Sequence, residues 1–264
     1  MAASGSEDAV RVQRDGPVAE IVLDRPTVLN AMNLAWVAGL GRAVSEVAAA
    51  EDVEIVVVRG EGRAFCAGLD LTMLAERGLP AEFYPLQEAA FTALEHLDRL
   101  VIAQVQGYCL GGGLQLAIAC DLRIASADAV FALPASKEGL FPGMAVWRLP
   151  RLIGLGRAMH LAVSGEQVDA AEARAMGLVD YVCPAAGFGA AARAIVERYL
   201  AVPQTAARAT KCLMRTAFER DFASVYRESL PLLERCLDSP DVAAARAAWT
   251  RRQAARRDGA RQPE

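Results

Sequence analysis

Histidine is nearly absent from this 264-residue chain, with only His96 and His160 present. Neither belongs to an H-E-x-x-H pattern or stands beside a cysteine cluster, so no metal centre is expected. The six cysteines, Cys66, Cys109, Cys120, Cys183, Cys212 and Cys236, include no C-x-x-C pair and sit mostly in apolar contexts. Buried free thiols in a reducing compartment are expected rather than a disulfide framework. Excess positive charge is also missing: a net charge of −4 and a pI near 5.4 exclude the basic footprint of a nucleic-acid-binding surface. No G-x-S-x-G elbow marks a serine hydrolase. Gly60-x-Gly62 lacks the third glycine of a dinucleotide fingerprint, which argues against NAD. Gln104, Gln106, Gln115 and neighbouring glycines interrupt the longest apolar region, which removes a transmembrane reading. The opening residues Met-Ala-Ala-Ser-Gly-Ser-Glu-Asp have neither an apolar core nor a basic start, so a signal peptide is not expected and the cytoplasm is the expected location.

What is present is 54% apolar composition, enough for one large domain or a domain with an appendage. Residues 1–8 read as a disordered lead. Val10 to Leu23 alternates loosely around Asp15-Gly16, as a hairpin does. Leu34, Val37, Leu40 and Val44 have helical spacing, and Ile55 to Val58 is a β-branched run typical of a strand covered on both faces. Repeated strand-then-helix segments follow, which predicts a parallel sheet with right-handed crossovers. Leu71 to Pro85 begins helically and is broken at Gly78-Leu-Pro80 before a second helix. Asp121 to Ala125 reads as a short strand, the segment after Pro142 as helix, and Val179 to Val182 as a last strand. From Phe188 the chain is helical and alanine-rich.

The chain is organised around Val105 to Cys120. A β-prone run, Val101 to Val105, leads to three glycines, Gly111 to Gly113, which open into an apolar helix. Without Cβ atoms a ligand can approach this backbone, and the amides at a helix N-terminus are unpaired and attract negative charge. A second glycine-containing loop, Gly60 to Leu71, follows the strand Glu54 to Arg59. Two loops that each present an N–H can form an oxyanion hole; close helix–strand packing is the other use of such glycines.

Arg63-Ala-Phe-Cys-Ala-Gly-Leu-Asp-Leu71 and Gln106-Gly-Tyr-Cys-Leu-Gly-Gly-Gly113, together with Leu23-Asp-Arg-Pro26 and Asn30-Ala-Met32, resemble the crotonase superfamily, also called the enoyl-CoA hydratase/isomerase family. The match is collinear from about Gly16 to about Trp249. It implies an α/β fold with a ββα spiral core over residues 9–195 and a C-terminal α-helical oligomerisation region over residues 196–264. It also implies an acyl-CoA substrate, a homotrimer or dimer of trimers, and no cofactor beyond the coenzyme A carried by the substrate. Leu69 and Gly112 match the family's two oxyanion donors, which stabilise a thioester enolate. Ala67, Gly68, Asp70 and Gly111 around them, with Gln115 and Ala135, are the expected substrate-contacting positions. Arg25 is the candidate for the nucleotide part. Arg251, Arg252, Arg256 and Arg257 read either as a solvated helix end or as a second phosphate contact.

The sequence departs from the family at the acid and base. Where hydratases carry two glutamates, this chain has Gln115 and Ala135, and glutamine exchanges no proton at neutral pH. Pro142 and Gly143 occupy the positions where other members place an acid or a tyrosine. Glu138 is the single carboxylate between Val130 and Gly143, and reads either as a base turned inward or as a surface charge beside Lys137. Tyr84 and Tyr108 can donate a proton or simply pack, and Cys66 and Cys109 read as small buried hydrophobes. Isomerisation, decarboxylation, C–C cleavage and a residual or substrate-assisted hydration all stay open. A protein that binds acyl-CoA without turning it over is the alternative from another class.

Overall fold

The computed structural model describes residues 9–259. The lead at residues 1–8 lies outside the described residues, as do the side chains of Arg256 and Arg257. The hairpin comes first: β1 (Val10–Asp15) and β2 (Val18–Leu23) pair antiparallel, Val10 opposite Leu23. A short 3-10 turn at Pro26–Val28 leads to α1 (Leu34–Ala49), which starts where the Asn33 side chain accepts the Trp36 N–H. This helix buries Val37, Leu40 and Val44 of the stripe that its spacing predicts, together with Trp36 and Val47, while Leu34 is half-buried. Next comes β3 (Ile55–Gly60), whose four leading residues are all buried.

Helices α2 (Leu71–Arg77) and α3 (Phe83–Glu95) precede β4 (Leu100–Val105), β5 (Tyr108–Leu110) and α4 (Gly112–Ala119). Then follow β6 (Leu122–Ser126), β7 (Val130–Ala132), a 3-10 turn at Pro134–Glu138, α5 (Ala145–Ile153) and α6 (Leu155–Met159). A π turn at His160–Ser164 leads to β8 (Gln167–Asp169), α7 (Ala170–Ala175), β9 (Tyr181–Cys183) and α8 (Phe188–Leu200). The remaining helices are α9 (Gln204–Thr216), α10 (Phe222–Leu237) and α11 (Pro240–Gly259).

Two sheets arise from this order. The larger runs β1-β2-β3-β4-β6-β9, parallel from β2 onward, and the smaller runs β5-β7-β8. Each turn of chain adds a strand to the large sheet and then a shorter one to the small sheet: β4 then β5, β6 then β7. The turn containing β3 does the same with single residues, since Cys66 bridges Cys109 and Leu69 bridges Met32. This stepping is the expected spiral. The last strand sits one to two residues later than its apolar run predicts. Three residues are too few for a period of two or 3.6 to declare itself.

The chain divides after Glu197 into two units. In the first, the core is centred on Trp36, Phe65, Phe91 and Phe131, none of them accessible to solvent. The second, from Arg198, holds α9, α10 and α11 and leaves Met214, Phe218, Phe222, Tyr226, Leu233 and Trp249 exposed.

One buried charge locks the end of the large sheet. Arg123 of β6, 2% exposed, donates to the Leu178 carbonyl at 2.7 Å, the Cys120 carbonyl at 3.0 Å and Asp180 at 2.9 Å. Removing the guanidinium strands those acceptors. Arg123→Met is expected to lower stability by about 3 kcal/mol in urea unfolding.

Candidate active site

Residues 66–69 form one wall of the site, and backbone pairing sets their direction. The Met32 N–H donates to Gly68 O at 2.7 Å and the Asp70 N–H to Met32 O at 2.9 Å, while Cys66 N–H donates to Tyr108 O at 3.0 Å. Successive amides of an extended chain alternate sides. The Leu69 N–H therefore faces away from Met32, and it has no acceptor among the described residues. Gly68 at φ +95° makes this path possible, since a Cβ there would stand 2.9 Å from Leu110 O and 3.4 Å from Gly112 N.

The second wall is the start of α4. The Gly111 N–H is pinned to Ala132 O of β7 at 2.9 Å, and its carbonyl accepts the Gln115 N–H at 3.0 Å. The Gly112 amide thus belongs to the first turn, where no intrahelical acceptor exists. A Cβ on Gly112 would meet Met32 Sδ at 2.8 Å and Gly68 Cα at 3.8 Å, which shows how closely the two walls approach.

Between them lies a cavity of about 330 Å³. Ala67, Gly68, Leu69, Gly111, Gly112, Gln115, Ala135 and Glu138, all singled out in the sequence, line it together. Arg25 and Asp70 do not line it; they pair with each other at 3.0 Å. Arg25 also donates to Ala31 O, and Asp70 caps α2 by accepting from Thr72 N and Met73 N, so the pair braces the segment that carries Leu69. Of the two tyrosines, Tyr84 lines the cavity and stacks edge-on against Phe141, while Tyr108 does not line it.

Glu138 ends the 3-10 turn after β7, and Gly139 in the left-handed region stops that turn. Lys137 is not its partner: Lys137 Nζ donates to Gly165 O at 3.0 Å, and Ser136 Oγ to Ala162 O at 2.7 Å. Those two tethers fasten the turn to residues 162–165. Glu138 itself has no hydrogen-bond or ion-pair partner among the described residues and is exposed at the cavity. Gln115 is 8% exposed and accepts from Gln87 Nε2 at 3.4 Å.

Gln87 is a cavity residue that the sequence reading misses. Its signal is a polar residue inside the apolar stripe Phe83, Gln87, Ala90, Phe91 and Leu94 of α3. Behind it, Arg148 of α5 donates to Glu95 at 2.9 Å and to Glu88 at 2.5 Å, and these carboxylates hold its pKa up against the cost of burial. Burial, followed by the neighbouring Glu88, also raises the pKa of Tyr84.

Cys66, Cys109, Cys120 and Cys183 are buried, whereas Cys212 is exposed and Cys236 half-buried, so the expectation of burial holds for four of the six. Among the described residues no group of three or more His, Cys, Asp or Glu side chains is placed to hold a metal. No helix among them is long and apolar enough to cross a membrane.

This architecture is the crotonase fold, a spiral in which successive turns place two backbone loops beside one cavity. A structure of enoyl-CoA hydratase from Thermoplasma volcanium superposes with a TM-score of 0.84 at 34% identity, covering 91% of this chain and 96% of that one. A Thermobifida fusca protein solved in complex with acetoacetyl-CoA gives a TM-score of 0.80 at 34% identity over 88% and 95% of the two chains. A Mycobacterium tuberculosis protein named "Probable enoyl-CoA hydratase echA8" is 37% identical over 213 residues, 80% of this chain and 83% of the relative. The sequence model described as Enoyl-CoA hydratase/isomerase matches residues 13–255, and the chain belongs to that family.

Burial pushes the Cys66 thiol up to about 12 and the Cys109 thiol well above its ordinary range. Both are therefore neutral thiols in the native protein at pH 8. Iodoacetamide followed by peptide mass spectrometry is expected to modify Cys212 and leave Cys66 and Cys109 unlabelled. Unfolded thiols ionise near the ordinary value of 9.0. The stability due to these two groups is thus complete below pH 9 and declines as the pH rises toward 12.

Proposed function

We propose that this enzyme is an acyl-CoA-processing lyase or isomerase that holds the thioester oxygen between the Leu69 and Gly112 amides and reacts through an enolate. The observation that carries the reading is the convergence of Leu69, Gly112 and the unpaired Glu138 on one cavity. Each amide contributes about 3 kcal/mol where negative charge develops on the oxygen. Glu138 is the base. Its carboxylate takes the proton from Cα, the C–H pair forms the enolate double bond, and the carbonyl pair moves onto the oxygen between the amides. Returning a proton to a different carbon completes an isomerisation; expelling a group from Cβ completes an elimination.

Gln115 and Ala135 stand where the two glutamates of a hydratase would, so hydration by that pair is not the reaction proposed. Ala67, Gly68, Gly111, Gln115 and Ala135 contact the acyl part. Arg25 uses one guanidinium nitrogen on Ala31 and Asp70, and we assign its other donors to the nucleotide of coenzyme A. Coenzyme A enters with the substrate, and no separate cofactor is assigned. The exposed apolar side chains of α9, α10 and α11 support a homotrimer or dimer of trimers as the working form. The second reading, an acyl-CoA binder without turnover, is favoured by the missing glutamates alone.

Incubation of a short acyl-CoA and its 3-enoyl analogue in D₂O, followed by mass spectrometry, separates the readings. Deuterium is expected at Cα, with the rate falling by a factor of about 100 to 10,000 in Glu138→Gln. Binding without any exchange overturns the enolate reading for these substrates. Light scattering is expected to return three or six times the 28.1 kDa chain mass.

A further inference from the structure

Gln87 and Gln115 are buried, uncharged and open to the same cavity. Their single mutual hydrogen bond, from Gln87 Nε2 to Gln115 Oε1 at 3.4 Å, is the only one either side chain makes among the described residues. It leaves a donor end, the Gln115 amide nitrogen, and an acceptor end, the Gln87 oxygen. Gly143 leaves the space that Gln115 occupies, since a Cβ there would lie 2.4 Å from Gln115 Oε1. A hydrocarbon chain that expels water from this cavity strands both ends. A substituent carrying a hydrogen-bonding oxygen satisfies them.

Charge and position narrow the ligand. Among the described residues no lysine or arginine lines the cavity and Glu138 does, so an anionic acyl group meets a like charge and no counterion among them. Gln115 follows Gly112 by three residues, about 4.5 Å along the helix axis. Helical side chains lean toward the N-terminus, so the Gln115 amide is carried back toward Gly112 and faces the first few carbons of an acyl group whose thioester oxygen is held there.

We propose that Gln87 is a specificity-determining residue that, with Gln115, selects acyl groups bearing an uncharged hydroxyl or carbonyl on one of their first few carbons over unsubstituted chains. The inference rests on the placement of the thioester at Leu69 and Gly112. A hydroxyl fits best, because it both accepts from Gln115 and donates to Gln87.

The test is calorimetric titration of the intact protein with butanoyl-CoA, 3-hydroxybutanoyl-CoA and 4-hydroxybutanoyl-CoA. At least one hydroxylated thioester is expected to bind about tenfold or more tightly than butanoyl-CoA. Gln87→Leu, with Gln87→Met as a second variant of similar volume, is expected to bring that ratio within about threefold while butanoyl-CoA binding is kept or improved. Equal binding of all three thioesters to the unsubstituted protein overturns the selectivity, and that result needs no variant. A preference that survives both substitutions overturns the role of Gln87. If neither the thioesters nor coenzyme A binds, the acyl-CoA site itself is misplaced and the inference falls with it.

Discussion

The site depends on a short length of extended backbone held on both sides by its neighbours in the spiral. Residues 66–70 bond to Met32 of the preceding turn through Gly68 and Asp70, and to Tyr108 and Leu110 of the following turn through Cys66. Each of these bonds is main chain to main chain. Together they orient the Leu69 peptide without using its side chain, and the Arg25–Asp70 pair reinforces them from outside the cavity. The Gly112 amide is positioned by the same stepping, since its helix starts where β5 ends beside β7. A spiral that adds one strand to each sheet per turn therefore brings two amides with no acceptor among the described residues beside one cavity.

That dependence explains what was legible in the sequence. Ile55 to Val58 announces a strand covered on both faces, and it is buried as expected. The glycine loops and their flanking motifs identify the family, and Leu69, Gly112 and Ala135, singled out from them, line one cavity. The strands β5, β7 and β8 left no periodic signature, because each has three residues and its identity lies in its partners. The partnership of Arg25 with Asp70, 45 residues apart, could not be read either. Gln87 was hidden because a single polar residue within an apolar helical stripe has no meaning until the opposite wall is known to carry Gln115.

The polarity of the cavity follows from the side chains at positions 115, 135 and 138. The amide of Gln115 hydrogen-bonds but exchanges no proton at neutral pH, and the methyl group of Ala135 does neither. Acid–base capacity at the cavity is thus concentrated on Glu138 and on Tyr84, whose phenol is made a weaker acid by burial and by Glu88. Two carboxylates at α3, Glu88 and Glu95, are committed to Arg148. Charge near the cavity is thereby divided between a structural cluster behind α3 and one free carboxylate on a tethered turn.

The tether of that turn sets which positions are free to drift. Ser136 and Lys137 grip the carbonyl oxygens of residues 162 and 165, and a carbonyl is supplied by any amino acid. The side chain at position 162 can therefore change over generations without loosening these two bonds. Gly165 is the exception, at φ +58° and with room for a Cβ only 3.0 Å from Pro134 Cα. Among relatives that keep a carboxylate at the position of Glu138, the glycine is the tether residue whose identity selection must hold, while the other anchor leaves no trace in side-chain identity.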